Sequence, residues 1–77
     1  MEAERDEEST KSLAAQRRTG RRVRQLREAR GLSRQELGNL AGYSRQGIAL
    51  IESGGVGISR QGRISLALAL GVPQDQF

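Results

Sequence analysis

Arginine is the residue type through which this sequence can do most of its chemistry. Twelve of the thirteen basic residues are arginines, and eight of them fall between Arg17 and Arg34. The planar guanidinium group donates hydrogen bonds in a fork that matches the oxygens of phosphate and carboxylate groups and one edge of guanine. This basic stretch predicts either a polyanionic partner or, less specifically, a solvated charged helix face.

The residue types that catalysis and metal binding usually need are scarce. Histidine and cysteine are absent, and Lys11 is the single lysine. Imidazole bases, thiol nucleophiles, disulfides and zinc sites built from cysteine or histidine are therefore excluded. We expect no enzymatic activity, no cofactor and no metal. The carboxylates of Glu28, Glu36 and Glu52 are interpreted as helix-surface, capping and ion-pair groups respectively.

Length and hydropathy indicate one small protein domain without a membrane span. The chain has 77 residues and a mass of 8.4 kDa, which suits a single domain. It contains no apolar run near the roughly 20 residues that cross a bilayer, and its acidic start differs from a secretory signal. We expect a cytoplasmic protein with no membrane partner.

Charge and periodicity divide the chain at about residue 18. Residues 1–8 carry five acids against one arginine, a net charge of −4, whereas residues 11–77 carry twelve bases against four acids, a net charge of +8. Residues 1–18 have few apolar side chains and are predicted to form a mobile charged arm, helical at most from Lys11 onward. Residues 19–77 are predicted to form the folded domain.

Four helices and a last turn are predicted in that domain. The first begins at Thr19, and its inward positions are Val23, Leu26 and either Ala29 or Arg30. A capping box of Ser33 and Glu36 opens the second helix, and Ser44 starts the third. The apolar segment from Gln61 to Leu70 alternates like a strand, but its leucines and alanines favour a fourth helix. Pro73 opens the last turn, which reaches Phe77.

The segment from Arg34 to Glu52 has the pattern of two short helices joined by a tight turn. Such a pair needs a small residue where the backbones cross and a residue that tolerates positive φ in the turn. Gly38 and Gly42 have these types at the right spacing. Four apolar residues are expected to hold the two helices together: Leu37, Ala41, Ile48 and Ile51.

This spacing resembles the helix-turn-helix of DNA-binding regulators of the Cro and lambda-repressor type, also called the xenobiotic-response-element family. The segments 23–33, 51–54 and 67–72 resemble the first helix, the close of the third and the end of the fourth. The resemblance covers residues 19–77. It implies an all-α fold, a compact lambda-repressor-like domain of four to five helices with a flexible N-terminal arm.

The resemblance also implies the roles of individual residues. A recognition helix over about residues 44–51 would enter the major groove of double-stranded DNA, where Ser44, Arg45, Gln46 and Leu50 would read bases. Arg27 and Glu52 would pair and fix that helix to the scaffold. The predicted phosphate contacts lie near the start of the second helix and after the third: Arg34, Ser53, Gly55, Ser59 and Arg60.

Two function classes remain open at this stage. The first is a sequence-specific transcriptional regulator, a repressor for example, that binds a palindromic operator as a homodimer. The alternative is a protein-interaction module, such as the DNA-binding antitoxin of a toxin–antitoxin pair.

The sequence departs from the family pattern at Ile58, Arg60 and Arg63. The fourth helix would then pack through Ile64, Ala67 and Leu68, or an exposed stripe of Ile64 and Leu68 would contact a second subunit.

The arginines at the start of the domain have two possible roles. They would contact DNA phosphates, or they would bind the acidic residues 2–8 within the same chain and so weaken non-specific DNA binding. The residues concerned are Arg17, Arg18, Arg21, Arg22 and Arg24.

Overall fold

The computed structural model describes the backbone of residues 2–77 and the side chains of residues 13–77, and the regular elements of the described chain are all helices. Its elements in chain order are α1 (Glu2–Ala29), α2 (Arg34–Ala41), α3 (Arg45–Ser53), α4 (Arg60–Leu70) and a 3₁₀ turn (Gln74–Gln76). The part that the structure describes contains no strand. The all-α prediction is therefore confirmed, and the segment that alternates like a strand is helix α4.

Helix α1 is longer than the sequence predicts. It begins at Glu2 rather than Thr19 and runs without a break through the boundary placed at residue 18. The mobility predicted for residues 1–18 stays a prediction, and the side chains of the first twelve of these residues lie outside the described part of the chain. Inside the domain Val23 is buried and Leu26 half-buried, but Ala29 and Arg30 are both exposed. Arg27 takes the third inward position instead.

A serine residue caps the N-terminus of each of the three shorter helices. Ser33, Ser44 and Ser59 precede α2, α3 and α4, and each hydroxyl oxygen accepts a hydrogen bond of 3.0 Å from the backbone N–H three residues later. Ser33 forms the complete capping box, since its own N–H donates to Glu36 Oε1 at 2.9 Å. These bonds satisfy backbone donors that the first turn of a helix leaves free.

The core lies where α2, α3 and α4 meet under α1. Its fully or almost fully buried side chains are aliphatic: Val23, Leu37, Ile48, Ile51, Leu66 and Leu70. Leu66 and Leu70 stand one helical turn apart and are completely buried, so they form the inward stripe of α4. The expectation that Leu68 packs in the core is wrong, because 78% of this residue is exposed. Ile64 is half-buried.

Among the described residues, none of the helices combines the length and the apolar content that a membrane crossing requires.

Candidate nucleic-acid interface

Helices α2 and α3 form a tight helix-turn-helix, and two glycines allow it. Gly42 ends α2 in the left-handed conformation, with φ of 80°, which costs glycine little because it has no Cβ. A Cβ on Gly38 would collide with the carbonyl oxygen of Tyr43, the second residue of the turn. Ile48 and Ile51 are buried on the inner face of α3. The structure thus brings together the glycines and isoleucines that the sequence pattern singles out.

The opposite face of α3 is open to solvent from its first turn onward. Arg45 and Gln46 are exposed, and Leu50, one turn further on, is 50% exposed. Ser44 caps the helix by accepting a hydrogen bond from Gly47 N–H at 3.0 Å, which leaves its hydroxyl hydrogen able to donate. All four predicted base-reading residues therefore lie at the surface on or next to one helix.

A buried carboxylate joins α3 to the two helices that precede it. Arg27 of α1 donates to Glu52 through Nε at 2.6 Å and through Nη2 at 3.1 Å. Arg34, the first residue of α2, donates to the same carboxylate through Nε at 3.1 Å. The Glu52 side chain is only 3% exposed. Two guanidinium groups thus share one carboxylate, and the cluster keeps an excess positive charge.

The pKa of Arg27 reflects this pairing. The hydrogen bond to Glu52 raises the pKa of the guanidinium above its ordinary value, against the opposing effect of burial. Arg27 also donates from Nη1 to the carbonyl oxygen of Leu32 at 2.8 Å, so it braces the connection between α1 and α2. The ion pair therefore fixes the end of α3 against the scaffold.

Arg34 differs in exposure from Arg27. Its side chain is 39% exposed, although Nε is held by Glu52. It lines an open cleft of about 490 Å³ at the start of α2, together with Arg27, Ser33, Gln35 and Arg45. Three arginines and the N-terminus of a helix thus converge on one cleft, and both features attract an anion.

The loop after α3 offers fewer free polar groups than the sequence suggests. Gly55 N–H donates to the carbonyl oxygen of Leu50 at 2.9 Å, and Ser53 Oγ donates to the same oxygen at 3.0 Å. The Ser59 hydroxyl oxygen accepts a hydrogen bond as the cap of α4, so only its hydroxyl hydrogen is left to donate, as at Ser44. The Arg60 side chain is exposed at the start of that helix. Among the predicted phosphate contacts in this region, Arg60 is the one that carries an exposed charge.

Sequence reasoning missed one residue that positions the surface. Gly20 is buried in the middle of α1, and a Cβ there would collide with the carbonyl oxygens of Ile51 and Glu52. The close approach of α1 to the end of α3 therefore depends on Gly20. A glycine inside a predicted helix was the available signal, because glycine costs about 1 kcal/mol there relative to alanine.

Comparison with known proteins agrees with this geometry. The family model of the helix-turn-helix domain matches residues 18–77. Among solved structures, the restriction-modification controller protein C.AhdI from Aeromonas hydrophila is similar, with 33% sequence identity and a TM-score of 0.78. The match covers 82% of this chain and 96% of the controller protein. A search of curated proteins gave no match.

The family match covers well over half of the chain and includes every residue of the helix-turn-helix. The similar solved structure extends the agreement to the arrangement of the helices. The chain therefore belongs to the helix-turn-helix domain family, a family of DNA-binding transcriptional regulators.

Proposed function

We propose that this chain binds double-stranded DNA sequence-specifically as a transcriptional regulator, with the first turn of α3 in the major groove. The observation that carries the proposal is the position of Arg45. Its side chain is exposed at the start of α3 and lines the same cleft as Arg34. The proposed base-reading group and the proposed phosphate-binding group therefore line one cleft, as a protein needs when one helix enters the groove beside the backbone.

The exposed side chains of α3 define what this helix can read. The Arg45 guanidinium can donate to O6 and N7 of guanine, and the Gln46 amide can pair with N6 and N7 of adenine. Each such contact contributes about 1–3 kcal/mol of discrimination between bases. Leu50 has no polar group and can contact only a thymine methyl. We therefore propose that base reading depends chiefly on Arg45 and Gln46.

Arg34 is proposed to bind a DNA phosphate, and Glu52 is proposed to position it. The hydrogen bond from Arg34 Nε to Glu52 restrains the long side chain before DNA arrives. Less conformational entropy is then lost on binding, because the guanidinium is already oriented. Arg60, exposed at the start of α4, is proposed as a second phosphate contact, with weaker contributions from Ser53, Gly55 and Ser59.

We propose further that the protein acts as a homodimer on a palindromic operator. Helices α2 and α4 pack against each other, and they leave Leu40 62% exposed and Leu68 78% exposed. A second copy would cover these side chains, and its α3 would reach a half-site about one helical turn away. We also propose that the protein is a cytoplasmic binding protein, a repressor for example, and not an enzyme.

The test is selection of bound duplexes from a random pool, followed by titrations of the selected duplex and a scrambled one at several salt concentrations. Binding should weaken with salt by about 0.9 logarithmic units per neutralised phosphate. Arg45→Ala should relax the preference at one base position. Arg34→Ala should weaken binding to both duplexes equally and lower the salt dependence by about one phosphate.

Arg63→Ala is the matched control, because it removes the same charge from α4 outside the cleft. It should change both affinities much less than Arg34→Ala. No selected sequence at all, or equal losses for Arg34→Ala and Arg45→Ala on every duplex, would contradict the proposed roles.

A further inference from the structure

We propose that a second arginine-lined cleft, between α1 and the C-terminal turn, binds a small molecule that carries two or more phosphate groups. The cleft has a volume of about 560 Å³, within the range of small-molecule sites. Four arginines line it: Arg18, Arg21, Arg22 and Arg63. This site goes beyond the proposed DNA-binding function and uses none of the residues assigned to it above, although Arg18, Arg21 and Arg22 are among the arginines for which the sequence also allows a contact to DNA phosphates.

The cleft has a strong excess of positive charge. No aspartate or glutamate lines it among residues 13–77, and the ion pairs formed by those side chains use Arg24, Arg27 and Arg34 instead. Arg18 and Arg22 are four residues apart on one helix, where like charges are mildly destabilising. The cluster therefore lacks a stabilising counter-charge within the described side chains, and a bound polyanion would supply one.

One of the four arginines is already held in place. Arg22 donates from Nε to the backbone oxygen of Gln76 at 3.3 Å and from Nη2 to the Oε1 atom of the same residue. Because this partner is neutral, it orients the guanidinium without cancelling its charge. Orientation before binding reduces the entropy lost when a ligand is bound.

The α1 side of the cleft lies opposite the position from which Arg27 contacts Glu52. An α-helix turns by about 100° per residue. Arg18 and Arg27 are nine residues apart, so their side chains leave α1 on opposite sides. Arg27 points toward Glu52 and the cleft at the start of α2, whereas Arg18 lines the cleft at the C-terminal turn. A duplex bound along α3 would leave this second cleft accessible.

The other lining groups limit the class of ligand. Thr19 and Gln25 add a hydroxyl and an amide that can donate hydrogen bonds to phosphate oxygens, and Phe77 and Ala15 add apolar surface. Four guanidinium groups match the charge of a diphosphate or triphosphate better than that of a single carboxylate or phosphate. The ligand is therefore a compact polyphosphate, free or attached to a small apolar or aromatic group.

Inorganic triphosphate is the probe for the test, with the 77-residue chain. Backbone and arginine side-chain NMR spectra should show saturable shifts at Thr19, Arg22 and Arg63, and sodium sulfate at equal ionic strength should not reproduce them. The double variant Arg18→Gln/Arg63→Gln changes two exposed side chains and should fold normally. Its affinity for triphosphate should fall by about tenfold or more.

The matched control is Arg34→Gln/Arg45→Gln, which removes two charges from the other cleft. Triphosphate affinity measured from the shifts of Arg22 and Arg63 should stay at the wild-type value while affinity for DNA is lost, so failure of this inference and failure of the DNA-binding proposal are separable. Equal losses of triphosphate affinity in the two double variants would show general screening and overturn the proposal. Displacement of triphosphate by a DNA duplex or single strand would assign the cleft to nucleic acid instead, and would also overturn it.

Discussion

At the scale of single residues, one buried carboxylate organises the start of the proposed DNA surface. Glu52 accepts hydrogen bonds from Arg27 and Arg34, which lie on different helices. Removal of one member of a buried ion pair is costly, because the remaining charge loses its partner inside the protein. When Arg27 is removed, Arg34 would remain beside Glu52, and its charge would reduce the loss of stability.

We expect Arg27→Ala to destabilise the fold by about 3 kcal/mol, at the lower end of the range for a broken buried pair. Thermal or urea unfolding measures the change, and DNA affinity should fall with it. Arg24→Ala is the control, since its ion pair with Glu28 is more than half exposed and should contribute less than about 1 kcal/mol. Lost DNA binding with unchanged stability would mean that Arg27 contacts DNA and has no structural role.

At the scale of helices, two local devices decide where α1, α2 and α3 lie. Gly20 allows the backbone of α1 to approach the end of α3, and the capping box of Ser33 and Glu36 makes α2 begin at Arg34. The first device sets a crossing point between helices, and the second sets the position of a predicted phosphate contact. Each can be tested by one substitution.

Gly20→Ala separates helix propensity from packing. Propensity alone would stabilise α1 by about 1 kcal/mol, but the added methyl group would collide with two backbone oxygens of α3. Backbone cannot move aside easily, and overpacking typically costs about 1–3 kcal/mol. We therefore expect net destabilisation in denaturant unfolding. Arg21→Ala, at the exposed neighbouring position, should leave stability nearly unchanged; a more stable Gly20→Ala variant would contradict the close approach.

The capping box predicts a pH dependence. The hydrogen bond from Ser33 N–H lowers the pKa of Glu36 below its ordinary value of 4.5. A carboxylate whose pKa is lower in the folded state stabilises the fold above its unfolded pKa, and that contribution disappears as the pH falls through the folded value.

Glu36→Gln keeps the hydrogen-bonding groups of the box but cannot titrate. The wild type should melt at the higher temperature at pH 7, and this difference should shrink below about pH 4.5, because only the wild type loses the contribution of an ionised carboxylate. A difference in melting temperature that stays constant over this pH range would show that ionisation of the capping carboxylate does not contribute to stability. All other carboxylates are common to both proteins and cancel in the difference.

At the scale of the whole molecule, three surfaces with different properties surround one small core. The start of α3 and the adjoining cleft form the proposed DNA surface. The second arginine-lined cleft lies between α1, Arg63 of α4 and the C-terminal turn. The outer sides of α2 and α4 carry Leu40 and Leu68, two large apolar residues that are mostly exposed. The separation of these surfaces would allow DNA, a small anion and a second copy to bind together.

We expect Leu68→Lys to weaken self-association and leave the monomer fold intact. Most of Leu68 is exposed, so its replacement should change monomer stability by no more than about 0.5 kcal/mol. Sedimentation should show a shift toward monomer, and binding to a duplex with two half-sites should weaken more than binding to one half-site. Leu13→Lys, on α1, is the control with similar chemistry. Unchanged association in Leu68→Lys would place the dimer contact elsewhere.

The sequence by itself determined the local features of this protein. Serine caps, glycine stops and helical periodicity depend on neighbouring residues, so the starts of α2 and α3 and the helix-turn-helix spacing could be predicted from sequence. Ser59, predicted as a phosphate contact, is the cap of α4. The family resemblance added the pairing of Arg27 with Glu52, which periodicity alone does not indicate. The same local signals could not locate the start of α1, because the acidic residues before Thr19 carry no apolar period.

Only the tertiary structure decided which side chains meet. The apolar residues of α4 alternate from Ile64 to Leu70, and the packing of α2 against α4 buries Leu66 while it leaves Leu68 outside. The sharing of Glu52 by Arg34 likewise depends on how three helices come together. Burial and long-range pairing arise from contacts between residues that are distant in the chain. A pattern read along one helix therefore cannot determine them.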